Sequence, residues 1–176
     1  WVSTKRSCCW VKMVRLAGSC NAPSRVLVQE SIADEFVKLL AAEAPKYAPA
    51  DPLHPDTVLG ALVDETQLKT VLGYIDAGHS EGAQCVAGGR QARAETGGYY
   101  VEPTVFAGVS NEMKIAREEI FGPVTSVIRF KTEEEAIAIA NASSYGLQAS
   151  VWSLNVNRAH RVARALRAGT VHVNQY

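Results

Sequence analysis

Apolar positions along the chain switch repeatedly between a spacing typical of strands and a spacing typical of helices. Apolar residues three and four positions apart predict amphipathic helices, each with one face toward a core. Strands that alternate with such helices are typical of βαβ units around a parallel sheet, so the predicted fold class is α/β. The predicted strands and extended segments lie at 25–29, which is a short β-branched run, and at 83–87, 99–109 (interrupted by Pro103), 124–130, 147–153 and 170–173.

The ends of the helices are predicted from capping residues and helix breakers. Ser31 is expected to cap the first helix, which Pro45 ends. A second helix is expected to stop near Gly78. The segment Thr132–Glu135 has the pattern of a capping box, in which the Thr hydroxyl and the Glu carboxylate satisfy free backbone N–H groups. A basic-faced helix is predicted for 156–168.

Composition narrows the class of protein without identifying an activity. The 176 residues, 47% hydrophobic and 20% charged, suit one globular domain. Eighteen basic and eighteen acidic residues cancel, which argues against nucleic acid or a membrane surface as partner. No apolar run approaches the roughly 18 residues that span a bilayer, and no signal peptide is visible. Four cysteines in a chain of this length do not resemble a disulfide framework, which favours the cytoplasm.

The first nineteen residues differ in composition from the rest. We therefore divide the chain into an atypical segment, 1–19, and a folded domain, 20–176. Because the chain begins with Trp1 rather than Met, we expect a piece of something longer, with a start scrambled by an event such as a reading-frame shift. A basic arm is the alternative, since the segment has no acidic residue and carries Lys5, Arg6, Lys12 and Arg15.

Cys20 is the candidate nucleophile, since a thiol between a loop and a strand can be approached by substrate and stabilised by backbone N–H groups. The alternative is a small buried hydrophobic residue, which suits Cys85 inside an apolar strand. Cys8 and Cys9 could join Cys20 at a metal, but no histidine or further cysteine has zinc-site spacing. We predict no metal site. The histidines lie far apart and form no triad pattern.

A second candidate site is the segment Arg117-Glu-Glu-Ile-Phe-Gly-Pro123, which immediately precedes the 124–130 strand. A carboxylate at the start of a strand can accept both hydroxyls of a sugar, as acidic residues do in nucleotide-binding folds. An aromatic ring two residues later could pack against a flat ring. The alternative is an exposed charged loop without a specific role.

These segments occur in an order that resembles the aldehyde dehydrogenase superfamily. The likeness covers 20–176 and is greatest for bacterial enzymes of putrescine breakdown that oxidise γ-glutamyl-γ-aminobutyraldehyde, and for related aminoaldehyde dehydrogenases. The motifs that carry it are Cys20-x-Ala22-x-Ser24-Arg25, Tyr100-Val-Glu-Pro103-Thr-Val-Phe106, Arg117–Pro123, Ser144-Tyr-Gly-Leu147 and Ala168-Gly-Thr-Val171-x-Val173-Asn174.

The resemblance implies a catalytic domain with a mostly parallel sheet and flanking helices. It implies that Cys20 attacks an aldehyde, that hydride passes to NAD or NADP, and that the resulting thioester is hydrolysed to the acid. Glu119 matches the carboxylate that holds the nicotinamide ribose, and Phe121 the aromatic at the nicotinamide. Gln67 matches a residue beside the adenosine ribose. Asn174 matches a residue near the substrate tunnel, although a role in closing the last strand is an equal alternative.

The sequence also departs from the family pattern. Leu16–Ser19 replaces a Gly-Gln or Gly-Glu pair before the nucleophile. In the family, the dinucleotide-binding domain, the general-base Glu and the oxyanion Asn lie upstream, and the segment that pairs subunits into homo-oligomers lies beyond Tyr176. We therefore expect this chain alone to be inactive. Two alternatives stay open: a non-catalytic remnant that serves as a packing or interaction module, and a dehydrogenase that transfers the acyl group to coenzyme A.

Overall fold

The computed structural model describes Cys20 and residues 22–175, so the segment set apart at 1–19 lies outside the described residues. Strands and helices alternate over most of this length, as the apolar spacing predicts. In chain order they are β1 (Arg25–Gln29), α1 (Glu30–Glu43), a 3₁₀ turn (Ala44–Tyr47), α2 (Glu65–Ser80), β2 (Gln84–Ala87), β3 (Gln91–Ala92), a 3₁₀ turn (Ala94–Thr96), β4 (Tyr100–Val101), β5 (Thr104–Ala107), α3 (Lys114–Arg117), β6 (Val124–Phe130), α4 (Glu133–Asn141), β7 (Gln148–Val151), α5 (Val156–Ala165) and β8 (Thr170–Val173).

The main sheet has four strands in the order β1-β6-β5-β2. β1, β6 and β5 run parallel, and β2 pairs with β5 in the antiparallel direction. β7 and β8 form a separate parallel pair, and β3 and β4 a short antiparallel pair. The predicted α/β fold with a mostly parallel sheet is confirmed.

Apolar side chains pack on both faces of the main sheet. On one face α2 and α3 bury Val71, Ile75 and Ile115 against Phe106. On the other face α1 buries Phe36 and other side chains against β1, β5 and β6. A smaller cluster lies between α5 and the β7–β8 pair. The central strand β6 is buried along nearly its whole length, which explains why its run of apolar residues predicts its bounds correctly.

Three helices begin with a side chain that accepts the N–H of the third helical residue: Asp64, Thr132 and Asn155. At Thr132 half of the predicted capping box is present: Thr132 Oγ1 accepts the N–H of Glu135 at 3.2 Å, whereas Glu135 Oε2 accepts the backbone N–H of Lys131 at 2.7 Å, one residue before the cap. The predicted cap at Ser31 is wrong. β1 runs directly into α1, which begins at Glu30, so Ser31 lies inside the first turn and Gln29 takes the cap position.

The second helix passes the predicted stop and ends at Ser80. Gly78 does not terminate it but allows close packing, since a Cβ at this position would lie 2.9 Å from Phe106 Cζ. α5 ends at Ala165, three residues before the predicted end. Within the described residues no helix is both long enough and apolar enough to cross a membrane.

Candidate active site

A cavity of about 430 Å³ brings together residues that are far apart in sequence. Its wall includes Cys20 and the residues that lead into β1, together with Glu118 and Glu119 from the loop after α3. Tyr145, from the segment that leads into β7, lies on the same wall. The structure therefore places the candidate nucleophile and the candidate ribose-binding carboxylate at one cavity.

Cys20 lies in the segment that leads into β1, and it is exposed and free of any disulfide. The start of the strand fixes this segment, because the backbone N–H of Ser126 in β6 donates to Ser24 O at 3.1 Å. Cys85 differs from Cys20. It is half-buried, its Sγ donates to Ala87 O at 3.3 Å, and burial raises the pKa of its thiol. A reactive cysteine needs access and thiolate character, so Cys85 is suited to packing.

In the loop after α3, one buried side chain lies between two exposed ones. Ile120 is only 3% exposed and packs in the core formed by α2 and α3. Its neighbours Glu119 and Phe121 are therefore turned outward, and the Phe121 ring is 37% exposed. Because Ile120 is buried, it holds the backbone of Glu119 and Phe121 in place.

One face of α2 holds this loop at three points. Gln67 Nε2 donates to Phe121 O at 2.8 Å, and Tyr74 Oη donates to Glu118 Oε2 at 2.8 Å. Between them, Val71 packs so closely on Gly122 that a Cβ there would lie 2.6 Å from Val71 Cγ2. Gln67 and Phe121 are not on the cavity wall; Gln67 supports the Phe121 backbone, and its predicted place beside the adenosine ribose stays a prediction.

Tyr74 and Tyr145 were not among the residues proposed from the sequence. Tyr74 could have been found from its spacing, because positions 67, 71 and 74 share one face of a helix. Burial, the hydrogen bond to Glu118 and the nearby charge raise the pKa of Tyr74 to about 12, so its phenol is a neutral donor near neutral pH. Tyr145 Oη accepts the backbone N–H of Glu119 at 3.4 Å, a contact that no local pattern predicts.

Asn174 is not on the cavity wall. Its backbone adopts a left-handed conformation (φ 54°), which Asn tolerates better than most residues. Its side chain accepts the backbone N–H of Ser153 at 2.9 Å and donates to Ser153 O at 3.0 Å. These bonds close β8 against the residues after β7, while the predicted role at the substrate tunnel stays a prediction.

No group of histidine, cysteine and acidic side chains in the described part of the chain could hold a metal ion. Cys8 and Cys9, which entered the metal hypothesis, lie outside the described residues.

The sequence model described as "Aldehyde dehydrogenase family" matches residues 7–176. Acetaldehyde dehydrogenase 2 of Cupriavidus necator is 49% identical over 160 residues, which are 89% of this chain and 31% of that protein. Betaine aldehyde dehydrogenase of Cereibacter sphaeroides is 46% identical over 157 residues, which are 89% of this chain and 32% of that protein.

Solved structures agree with the sequence comparison. A crystal structure of indole-3-acetaldehyde dehydrogenase complexed with NAD+ superposes with a TM-score of 0.93 and 54% identity, over 97% of this chain and 34% of that one. γ-Glutamyl-γ-aminobutyraldehyde dehydrogenase from Burkholderia cenocepacia superposes with a TM-score of 0.93 and 50% identity, over 98% and 34%. The chain spans about a third of the length of the relatives it matches. It belongs to the aldehyde dehydrogenase family.

Proposed function

We propose that residues 20–176 form part of the catalytic domain of an NAD(P)-dependent aldehyde dehydrogenase, with Cys20 as the nucleophile. The observation that carries the proposal is the position of Cys20 and Glu119 on the wall of one cavity, in a chain of this family. The activity belongs to a complete enzyme that carries this segment. We place it in the cytoplasm on the grounds of cysteine usage.

The residues present fit the ribose and nicotinamide end of the cofactor. The Glu119 side chain is exposed, and no hydrogen bond or ion pair to its carboxylate occurs among the described residues. Such a carboxylate can accept both ribose hydroxyls. The Phe121 ring beside it offers a flat apolar surface, and Gln67 holds its backbone. When bound, the cofactor supplies the acceptor for a hydride.

The chemistry of the chain itself centres on Cys20. Its thiolate forms a bond to the carbonyl carbon, and the carbonyl π electrons move to oxygen to give a thiohemiacetal. Loss of hydride from that carbon re-forms the carbonyl and leaves a thioester on Cys20. Water then adds to the thioester, the carbon–sulfur bond breaks, and the acid and the free thiol are released. Division of one difficult step into two easier ones is the benefit of covalent catalysis.

We propose an aminoaldehyde, such as γ-glutamyl-γ-aminobutyraldehyde, as the substrate. Support comes from the motif pattern and from the likeness to the Burkholderia enzyme named for that substrate. In a complete enzyme that carries this segment, kcat/KM for the aminoaldehyde should exceed that for indole-3-acetaldehyde by about tenfold or more. The reverse order would contradict the aminoaldehyde assignment, and an acyl-coenzyme A product would favour the alternative acceptor.

In the same enzyme, Cys20→Ala should abolish aldehyde oxidation and leave the affinity for NAD near normal, because the thiol forms the covalent intermediate but does not hold the cofactor. The matched control is Cys85→Ala, which makes the same substitution at a packing position and should retain turnover. Turnover is measured by the absorbance of the reduced cofactor, and NAD affinity by titration. Oxidation that survives in the Cys20→Ala variant would refute the proposed nucleophile.

A further inference from the structure

We propose that Tyr145 is a positioning residue for Glu119. Its hydroxyl holds the main chain of Glu119 and thereby sets the position from which the carboxylate reaches the ribose of the cofactor. This role rests on the proposed function, because it affects catalysis only if Glu119 binds that ribose. Two features of the structure carry it: the way in which the loop after α3 is held, and the fixed backbone of Tyr145.

Glu119 differs from its neighbours in how it is held. The other four positions from 118 to 122 are hydrogen-bonded to α2, packed on α2 or buried in the core. Among the described residues, the one hydrogen bond of Glu119 is that of its backbone N–H to Tyr145 Oη, at 3.4 Å. The contact therefore acts on the position of the loop that carries the free carboxylate.

Tyr145 reaches Glu119 from a different part of the fold than α2. It lies 26 positions further along the chain, in the segment that leads into β7. α2 packs on the main sheet, whereas β7 belongs to the pair with β8. A loop that is held by two separate elements has less freedom to turn than a loop that is held by one.

The backbone on both sides of the Tyr145 side chain is fixed by hydrogen bonds. The Tyr145 N–H donates to Ser143 Oγ at 3.1 Å, and the carbonyl oxygen of Gly146 accepts the N–H of Gly169 at 2.7 Å. Gly146 also lies so close to Arg167 that a Cβ there would be 3.0 Å from the carbonyl oxygen of Arg167. A tyrosine side chain has few torsions, so a fixed backbone also fixes its hydroxyl at a small cost in entropy.

Burial does not explain why a tyrosine is present at 145. The residue is 54% exposed, whereas an aromatic ring that stabilises the fold by packing is usually buried. Its ring lies on the wall of the cavity that Cys20 and Glu119 share. In the described part of the chain, the contact with Glu119 is the one hydrogen bond of the Tyr145 hydroxyl. Removal of this hydroxyl alone therefore has one direct consequence, at Glu119.

The expected effect on catalysis is moderate. A distance of 3.4 Å is long for a hydrogen bond, and the neighbours of Glu119 stay fixed without it. A misplacement of about 1 Å can nevertheless lower a rate about a hundredfold. In a complete enzyme that carries this segment, Tyr145→Phe should lower kcat about three- to tenfold and change the KM for the aldehyde less than about twofold.

A double-mutant cycle shows whether Tyr145 acts through Glu119. In Glu119→Ala the carboxylate is absent, so Tyr145→Phe should lower kcat less than about 1.5-fold in that background. An equal loss of kcat in both backgrounds, or no loss in the original enzyme, would overturn the positioning role. Full kcat in the Glu119→Ala variant would instead contradict the ribose-binding role of Glu119, and the role of Tyr145 would fail with it.

Hydrogen exchange tests the contact itself, independently of activity. Tyr145→Phe removes the acceptor of the Glu119 N–H, so this amide should exchange at least about threefold faster in the complete enzyme. The matched control is Tyr99→Phe, which removes a hydroxyl away from the cavity wall and should change neither kcat nor the exchange at Glu119. Exchange at Glu119 that is the same in Tyr145→Phe as in the original enzyme would overturn the proposal.

Discussion

Two carboxylates that are adjacent in the sequence have different surroundings at the site. Glu118 accepts the Tyr74 hydroxyl and fastens the loop to α2. The Glu119 carboxylate has no partner among the described residues, while its backbone N–H contacts Tyr145. The pair therefore divides into a residue that holds the loop and a residue that is available to a ligand.

Exchange of each carboxylate for an amide should separate these roles in a complete enzyme that carries this segment. Glu119→Gln should lower kcat by about tenfold or more and change the KM for the aldehyde much less, because an amide offers one acceptor oxygen to the ribose and leaves the nicotinamide less well oriented. Glu118→Gln should keep kcat within about threefold. Stopped-flow detection of the reduced cofactor measures the hydride-transfer step, and equal losses in both variants would contradict the assignment.

Tyr74 gives a direct readout of the same loop in the chain itself. Its pKa of about 12 is raised first by burial, then by the hydrogen bond to Glu118 and by its charge. Glu118→Gln should bring the pKa of Tyr74 down toward 10. A pH titration of tyrosinate absorbance measures this pKa after the signal of the Tyr74→Phe variant is subtracted. Since the folded pKa is raised, the stabilisation from the neutral phenol is present below about pH 10 and is lost between pH 10 and 12. An unchanged pKa in Glu118→Gln would mean that the hydrogen bond is absent in solution.

At the scale of the element, two glycines lie in opposite environments: Gly122, in the loop held by α2, is closely packed, and Gly73, in α2 itself, faces open space. Gly122→Ala would place a Cβ 2.6 Å from Val71 Cγ2, and Val71 is completely buried. We expect a loss of about 1–3 kcal/mol in the free energy of unfolding. Gly73, exposed on α2, has nothing within 4 Å of an added Cβ, so Gly73→Ala should gain about 0.5–1 kcal/mol. Urea denaturation measures both changes.

A double-mutant cycle isolates the contact that this prediction invokes. In a Val71→Ala background the alanine at 122 has room, so Gly122→Ala should cost at least about 1 kcal/mol less there than in the original chain. An equal cost in both backgrounds would show that backbone conformation, and not the contact with Val71, opposes the substitution.

The elements differ in how well the sequence predicts them, for physical reasons. The bounds of β1, β6 and β8 agree with the apolar runs, because β-branched residues fit the pleated surface of a strand. The antiparallel direction of β2 was not predicted. The spacing of apolar residues along a strand shows which face is buried, but it does not show in which direction the neighbouring strand runs. The predicted cap at Ser31 was wrong because β1 runs directly into α1. The helix therefore begins at Glu30, before the residue with the local preference for a cap.

At the scale of the whole molecule, α4 connects the main sheet to the β7–β8 pair. Arg25, in β1, donates to the carbonyl oxygens of Ile139 and Ala140 at the end of α4, and to Asn111 Oδ1. From the same end of α4, Asn141 donates to Ala165 O at 2.8 Å, at the end of α5. One helix terminus is thus tied to the main sheet and to α5, which packs on the β7–β8 pair.

Contacts over such separations explain why the sequence alone gives only part of the site. Cys20 and Glu119 reach one cavity although 99 positions separate them (119 − 20), and no period or spacing connects them. Their pairing was expected only through the family resemblance. Arg25 belongs to one of the motifs, but the carbonyl groups that it binds carry no sequence signal, because every residue has one.

Arg25→Lys tests whether the connection through α4 stabilises the molecule. A lysine ammonium cannot reproduce the planar guanidinium fork that reaches three acceptors, so part of the network is left unpaired. We expect a loss of about 1–3 kcal/mol in the free energy of unfolding and faster hydrogen exchange in β7 and β8. The control is Arg161→Lys, which alters an exposed ion pair with Glu133 and should change stability by less than about 0.5 kcal/mol. If the two variants unfold at the same urea concentration, Arg25 does not link the two sheets energetically.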